Sequence, residues 1–97
     1  MKRVVITGLG LVTALGNDVP TCWANLIAGK SGAGAITHFD SSKFKTQFAC
    51  EVKDLDVSNL FDPKELRRYG RYIHLAVKST EEAINNANIS PEQKEKL

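Results

Sequence analysis

The chain has 97 residues, of which 42% are hydrophobic, and a formal net charge of +2. This length suits one soluble domain at most, with a thin core, because so short a chain buries only about two-thirds of its unfolded surface. The small net charge argues against a general nucleic-acid binder, which carries a strong basic excess on one face. Two cysteines without a C-x-x-C motif, and two isolated histidines, indicate neither a disulfide framework nor a metal site.

The N-terminus begins with Lys2 and Arg3 and continues into the apolar residues 4–6, which predict a buried strand. This basic start, apolar run and following Ala-Leu-Gly superficially resemble a secretory signal. Glycines and threonines dilute the run, and it is too short to cross a bilayer. We therefore expect a cytoplasmic chain with reduced thiols and no membrane partner.

The glycine spacing of the next stretch, GLGLVTALG at residues 8–16, partly matches that of a phosphate-binding loop. Gly8 and Gly10 fit the first two glycines of the dinucleotide fingerprint G-x-G-x-x-G, but Thr13 stands where the third is needed. No Gly-Lys-Ser/Thr follows at Walker A spacing. A small nucleotide-binding domain remains an alternative that Thr13 argues against, and the sequence favours a strand followed by a tight turn.

Residues 17–32 predict a short helix followed by a loop. Asn17 or Asp18 is a suitable N-cap, Pro20 fits the first turn, and Gly29 ends the helix. One face of this helix carries Trp23, Leu26 and Ile27. The small and turn-forming residues at 31–42 predict a loop.

Residues 44–52 alternate in polarity and predict a half-buried strand. Its apolar side carries Phe44, Phe48, Cys50 and Val52. Cys50 is therefore expected to be a small core residue rather than a reactive thiol. Cys22 lies in the first turn of the short helix, but the adjacent Trp23 and the lack of a nearby histidine favour packing over catalysis.

From Pro63 to residue 88 the apolar residues recur at helical spacing. Asp62 and Glu65 form a predicted capping box at its start. Gly70 costs about 1 kcal/mol relative to alanine within a helix, so one helix and two helices meeting at residues 69–70 are equally compatible with the pattern. Ser90 begins a further capped turn.

The motif DPKELRRYGR places four cations at positions i, i+3, i+4 and i+7: Lys64, Arg67, Arg68 and Arg71. On one continuous helix they would form a stripe opposite the apolar face. Two interpretations stay open. The stripe is either a merely solvated face or a dock for an acidic partner, whose encounter it would steer.

Four sequence blocks, in order, resemble the N-terminal segment of the β-ketoacyl-acyl-carrier-protein synthase II family of fatty-acid condensing enzymes. They are KRVVITGLGLVTALGN, W..LIAGKSG, ITHFDSSKF.TQFACEVKD and DPKELRR, and the resemblance covers residues 2–91. It implies an α/β fold, the N-terminal part of a thiolase-like αβαβα layered fold that is incomplete in this chain. Residues 1–97 would be an N-terminal segment of a ketosynthase domain without separate domains of their own. The glycine turn would then follow the first strand and bind no nucleotide.

The resemblance also implies an activity. Family enzymes accept an acyl group from acyl carrier protein on a cysteine, then decarboxylate malonyl carrier protein so that the carbanion attacks the thioester. They are cytoplasmic homodimers and use no cofactor or metal. Their catalytic cysteine and two histidines belong to motifs absent from these 97 residues, so we expect no catalytic residue in this chain.

Residue by residue, the resemblance extends to Lys64, Arg67 and Arg68, which match family positions that contact acyl carrier protein. Arg71 extends this docking site by inference alone. The sequence departs from the family pattern at Ala14, Gly70 and Cys50, where proline, aspartate and glycine are common. An alternative function is a stand-alone carrier-protein binding module without catalysis.

Overall fold

The computed structural model describes residues 1–96, which contain four helices and one two-stranded sheet. The elements in chain order are α1 (Val19–Ile27), β1 (Ala33–Ala35), β2 (Phe48–Cys50), α2 (Pro63–Arg68), α3 (Arg71–Asn86) and α4 (Pro91–Glu95). The chain divides into two compact units. One is Val12–Leu55, and the other joins Met1–Leu11 to the residues from Asp56 onward.

Helix α1 begins and ends where the sequence predicts. The Asp18 carboxylate accepts a hydrogen bond from Thr21 N at 2.7 Å, which satisfies one of the amides left open at a helix start. Gly29 follows the end of the helix with φ +73°, a backbone conformation that costs glycine little. The predicted apolar face is largely exposed in this structure, with Trp23 at 60%.

The sheet is an antiparallel ribbon in which Ala33, Gly34 and Ala35 pair with Cys50, Ala49 and Phe48, respectively. The prediction of a loop at 33–35 is therefore wrong, and the predicted strand at 44–52 is shorter than expected. The expectation that Phe48 and Cys50 lie on a buried face is also wrong, because both are exposed. Two strands of three residues each are too small to form a covered face.

The predicted strand at residues 4–6 is not formed. The first eleven residues contain no strand, and the side chains of Val4 and Ile6 are 95% and 82% exposed. The physical reason is the lack of a partner, since a strand requires a second backbone for its hydrogen bonds and none pairs with these residues within the described chain.

Beyond residue 7 the N-terminal segment is held by α3. Leu9 N donates to Asn86 Oδ1 at 3.2 Å, and Leu11 N donates to Glu82 Oε1 at 2.9 Å. Gly8 and Gly10 lie so close to α3 that an added Cβ would collide with its backbone carbonyls. These glycines therefore permit close packing of a chain segment on a helix, which explains them without a phosphate.

Helices α2 and α3 are separate, so the second of the two sequence interpretations is correct. Both halves of the predicted capping box are present: Glu65 N donates to Asp62 Oδ1 at 2.8 Å, and Asp62 N donates to Glu65 Oε1 at 3.2 Å. Tyr69 then adopts an extended conformation, with φ −92° and ψ 142°, which ends α2. At α4, Ser90 and Gln93 exchange the reciprocal bonds that the sequence predicts.

Burial within the described residues is slight. In the unit that contains α2 and α3, the buried apolar residues are Val57 and Phe61. In the unit Val12–Leu55, the buried apolar residue is Cys22. The Phe61 ring packs edge-on against Tyr69, with centroids 5.8 Å apart, and lies 5.2 Å from the His74 ring. We call Phe61, Tyr69 and His74 the aromatic cluster.

The contact of Gly10 with α3 gives a testable prediction. Gly10→Ala should lower the free energy of unfolding by about 1–3 kcal/mol, because its methyl group would collide with the Ser79 carbonyl. Urea unfolding followed by circular dichroism measures this. The matched control is Gly34→Ala, whose methyl group meets no atom within 4 Å. Equal unfolding midpoints for the two variants would contradict the packing role of Gly10.

Candidate functional site

The four cations that the sequence predicts as docking residues are all exposed. We call Lys64, Arg67, Arg68 and Arg71 the basic surface. Lys64, Arg67 and Arg68 lie on α2 with the predicted spacing, whereas Arg71 is the first residue of α3. The four cations do not share one continuous helix, because the backbone is extended at Tyr69. The stripe predicted from helical spacing thus holds for three residues and is wrong for the fourth.

Local interactions stabilise both ends of α2. Arg67 Nε donates to Pro63 O at 3.3 Å, so this side chain runs back along its own helix. Arg67 and Arg68 occupy the last turn, where positive charge interacts favourably with the helix dipole. The Glu65 carboxylate accepts from Asp62 N, so it is engaged in the cap at the start of the helix. Lys64, Arg67 and Arg68 therefore lie on a helix that is stabilised at both ends.

The aromatic cluster lies at the end of α2. Tyr69 follows Arg68 directly, and its ring contacts the buried Phe61. His74, one turn into α3, contacts the same ring. One buried phenylalanine thereby contacts side chains from both sides of the break between the helices. Aromatic pairs in this geometry add about 0.5–1.5 kcal/mol beyond the area that they bury.

Cys22 has the surroundings of a structural residue. It is 4% exposed, its Sγ donates to Gly16 O at 3.1 Å, and it lies 3.1 Å from Thr13 Oγ1. These contacts agree with the packing role that the sequence predicts. Across residues 1–96, no group of three or more His, Cys, Asp or Glu side chains is arranged to hold a metal ion.

An open cavity of about 360 Å³ borders the glycine turn. Asp18, Lys53 and Asp54 are among its lining residues, so its acidic groups outnumber its basic one. The Asp18 carboxylate also bonds to Thr21 N at the start of α1, which is where a phosphate would have to bind. Both features oppose binding of a nucleotide phosphate here.

Sequence reasoning missed a cluster of hydrogen bonds around one carboxylate, that of Glu51, directly after the end of β2. Glu51 accepts hydrogen bonds from Thr37 Oγ1 at 2.9 Å, Thr37 N at 3.2 Å and His38 N at 3.3 Å. His38 Nε2 lies 3.6 Å from Glu51 Oε2. Desolvation raises the pKa of Glu51, but the hydrogen bonds from Thr37 and His38, together with the charge of His38, outweigh it and lower the pKa overall.

The Glu51 contacts tie the loop at 36–38 to β2. Ile36 N donates to Gln47 O at 3.1 Å, which extends the ribbon to the residue before Thr37. The only signal available in the sequence was an acidic residue just after a predicted strand, which is too common to be diagnostic. The cluster anchors a loop and presents no nucleophile.

Comparison with known proteins decides the family. The family model described as "Beta-ketoacyl synthase, N-terminal domain" matches residues 1–97. The chain belongs to this family. The chain is 44% identical over 88 residues to 3-oxoacyl-[acyl-carrier-protein] synthase 2 of Synechocystis, and the match covers 91% of the chain and 21% of the relative. The relative of the same name from Coxiella burnetii gives the same identity and coverage.

A solved structure agrees with the family. The chain superimposes on a structure described as the ishigamide ketosynthase/chain length factor with a TM-score of 0.85 and 35% identity. The match covers 95% of this chain and 23% of that one. The chain thus has the N-terminal part of the thiolase-like α/β fold, as predicted, and spans about a fifth of the length of its curated relatives.

No helix among the described residues has both the length and the apolar character needed to cross a membrane. The longest, α3, has 16 residues and includes charged side chains such as Glu81 and Glu82.

The lowered pKa of Glu51 predicts a pH-dependent stability. Because its folded-state pKa lies below the ordinary value of about 4.5, its contribution is complete above that value and is lost as pH falls through the folded-state pKa. Thermal unfolding at several pH values should show Glu51→Gln less stable than the unmodified chain at neutral pH and nearly equal to it in acid. Glu95→Gln, with the same charge change on an exposed residue, is the control. A stability difference that stays constant with pH would contradict this role.

Proposed function

We propose that the chain is the N-terminal segment of a 3-oxoacyl-acyl-carrier-protein synthase that lengthens fatty acids. The segment would contribute part of the protein scaffold and part of the surface that docks acyl carrier protein. The observation that carries the docking role is the exposed set of cations on α2, in a chain whose relatives are named for that partner. A cytoplasmic, homodimeric parent enzyme is proposed on the resemblance alone.

The proposed reaction joins an acyl thioester on the enzyme to a malonyl unit on the carrier protein. Loss of CO2 from the malonyl unit leaves a carbanion, which attacks the carbonyl carbon of the acyl thioester. The carbon–sulfur bond breaks, the enzyme cysteine leaves as a thiolate, and a 3-oxoacyl chain two carbons longer remains on the carrier protein. We infer from the family resemblance that the catalytic groups lie in polypeptide outside this chain. The buried Cys22, whose Sγ bonds to a backbone carbonyl, agrees with this inference.

We also propose that residues 1–97 form a segment of a single ketosynthase domain. The exposed apolar run at residues 4–6 supports this, because a contiguous exposed apolar patch marks a surface that other polypeptide covers. The side chains of Phe48, at 66% exposure, and Trp23 are further apolar surface that other polypeptide would cover. The remaining polypeptide of the enzyme would provide this cover.

The basic surface favours an acidic partner through long-range attraction. Individual exposed ion pairs contribute about 0–1 kcal/mol, so several cations are needed for measurable binding. Their joint field speeds encounter with a partner of opposite charge. Salt should weaken such docking, because the Debye length falls from about 10 Å at 0.1 M to about 3 Å at 1 M.

Charge reversal tests the docking role. Arg67→Glu combined with Arg68→Glu should weaken binding of acyl carrier protein by about tenfold or more, equivalent to about 1.4 kcal/mol, and should reduce its salt dependence. Amide NMR titration of the 97-residue chain at low and high salt measures both effects. The matched control, Lys43→Glu with Lys45→Glu, makes the same net charge change on exposed residues of Val12–Leu55. Equal losses for the two pairs would indicate a general charge effect and contradict a site on α2.

The assignment of the catalytic groups to polypeptide outside this chain has its own test. The purified 97-residue chain should release no CO2 from malonyl carrier protein, whereas a full-length 3-oxoacyl-acyl-carrier-protein synthase in the same assay should do so. Release of CO2 by the purified short chain above that of a protein-free blank would contradict the assignment. Docking without turnover, in the absence of any longer enzyme, would favour the stand-alone binding module.

A further inference from the structure

The backbone of residues 1–7 is unpaired in the described part of the chain. None of the amides or carbonyls of this segment forms a hydrogen bond with another of the described residues 1–96. Its consecutive side chains Val4, Val5 and Ile6 are exposed, at 95%, 65% and 82%. Because side chains of an extended chain alternate between two faces, both faces of this segment are open as well as its backbone groups. Such a segment is a template for pairing with another backbone.

The segment is anchored at one end only. Leu11 N donates to Glu82 of α3, and Leu9 N donates to Asn86, which is the last residue of that helix. The acceptors therefore move towards the end of α3 as the chain runs back towards its N-terminus. Residues 1–7 continue in this direction past the helix, which agrees with the exposure of their apolar side chains.

The apolar residues define one favourable register for pairing with the same sequence. When Val5 lies opposite Val5 in an antiparallel pair, Val4 lies opposite Ile6, so every apolar residue of the run faces another apolar residue. A shift of the pairing by one residue sets Ile6 opposite Arg3, or Val4 opposite Thr7. The register with Val5 on the two-fold axis is therefore preferred, and it gives a closed, symmetric contact.

Charge disfavours the parallel alternative. Lys2 and Arg3 precede the apolar run, and residues 4–9 carry no charged side chain. Parallel strands in register would place each cation against its own copy, and like charges directly opposite each other are destabilising. Antiparallel strands place the cations of the two copies at opposite ends of the pair.

We propose that residues 3–7 pair with the same residues of a second copy of this chain, as an antiparallel ribbon centred on Val5. This inference does not rest on the proposed function. Two short strands bury far less than the roughly 1,600 Å² of a stable complex, so the dimer is weak, with a Kd of about 0.1–1 mM. Cover by the rest of a ketosynthase would use the same backbone groups, so one molecule cannot have both partners at once.

Cysteine substitutions test both the contact and its register in the 97-residue chain. Cys50→Ser first removes the exposed native thiol. Directly opposite residues have Cα atoms about 4.5–5.5 Å apart, within reach of a disulfide, whereas diagonal neighbours at about 7–8 Å exceed it. With oxidised glutathione, Val5→Cys should therefore give at least about fivefold more disulfide-linked dimer than Val4→Cys. The double variant Val4→Cys with Ile6→Cys should restore the dimer, as read on non-reducing gels.

Sedimentation equilibrium of the chain without added cysteines measures the affinity. Val5→Lys should raise the Kd of the dimer about three- to tenfold, because it replaces an apolar pair on the axis by two facing cations. The matched control is Ile27→Lys, which makes the same charge change on an exposed apolar residue of α1 and should leave the Kd unchanged. Identical circular dichroism spectra establish that the variants keep the fold.

Three outcomes would overturn the inference. Equal dimer yields from single cysteines at positions 4, 5 and 6 would indicate parallel or random encounter. Equal losses of affinity for Val5→Lys and Ile27→Lys would indicate general apolar association. A chain that stays monomeric up to about 1 mM, without preferential cross-linking of Val5→Cys, would leave residues 4–6 to be covered by other ketosynthase polypeptide alone. None of these measurements involves acyl carrier protein, so failure of the proposed function is recognised separately.

Discussion

The close approach of residues 8–11 to α3 is the constraint on which the unit containing Met1–Leu11 depends. The helix presents small residues there, since Ser79, Ala83 and Ala87 are the nearest neighbours of the two glycines. The Ser79 hydroxyl bonds to the Leu75 carbonyl of its own helix at 3.0 Å, so it does not protrude. The small side chains of the helix and the glycines of the N-terminal segment let the two backbones pack together. A single methyl group added at either glycine would be too large for the contact.

The same helix satisfies the backbone of that segment. Asn86 and Glu82 lie four residues apart on α3 and accept from the amides of Leu9 and Leu11, which are two residues apart. One helical turn rises about 5.4 Å, and two residues of extended chain span about 6.6 Å, so the two spacings are close enough to match. The amides that a phosphate loop would offer to a nucleotide are thus bonded to side chains of the protein.

The basic surface depends on a second local arrangement. The capping box fixes the start of α2, and the extended Tyr69 ends the helix after six residues. The Tyr69 ring contacts the buried Phe61, which also contacts His74 of α3. This break carries Arg71 away from the helix that bears Lys64, Arg67 and Arg68. The termination of a short helix therefore decides which side chains a partner would meet.

Local signals in the sequence determined the helix boundaries. Asp18, one of the two predicted candidates, caps α1, and Asp62 and Glu65 form the predicted capping box of α2. Gly29 follows the end of α1 as predicted and has a left-handed conformation. These features depend on residues within three or four positions of one another, so they can be predicted without knowledge of the fold. The basic residues of α2 and the family resemblance could also be recognised in the sequence, because both rest on short motifs in a fixed order.

Only the tertiary structure decided the features that need a distant partner. The alternating pattern around Phe48 and Cys50 indicates a strand, yet their exposure depends on whether another layer covers them. The apolar residues 4–6 likewise predict a strand that cannot form without a second backbone. The sequence left one helix and two helices open at Gly70, and the structure has an extended Tyr69 whose ring contacts Phe61. The bonds from Thr37 and His38 to Glu51 join residues 14 and 13 positions apart, respectively. Burial and pairing are properties of two segments together, so periodicity within one segment can suggest them but cannot establish them.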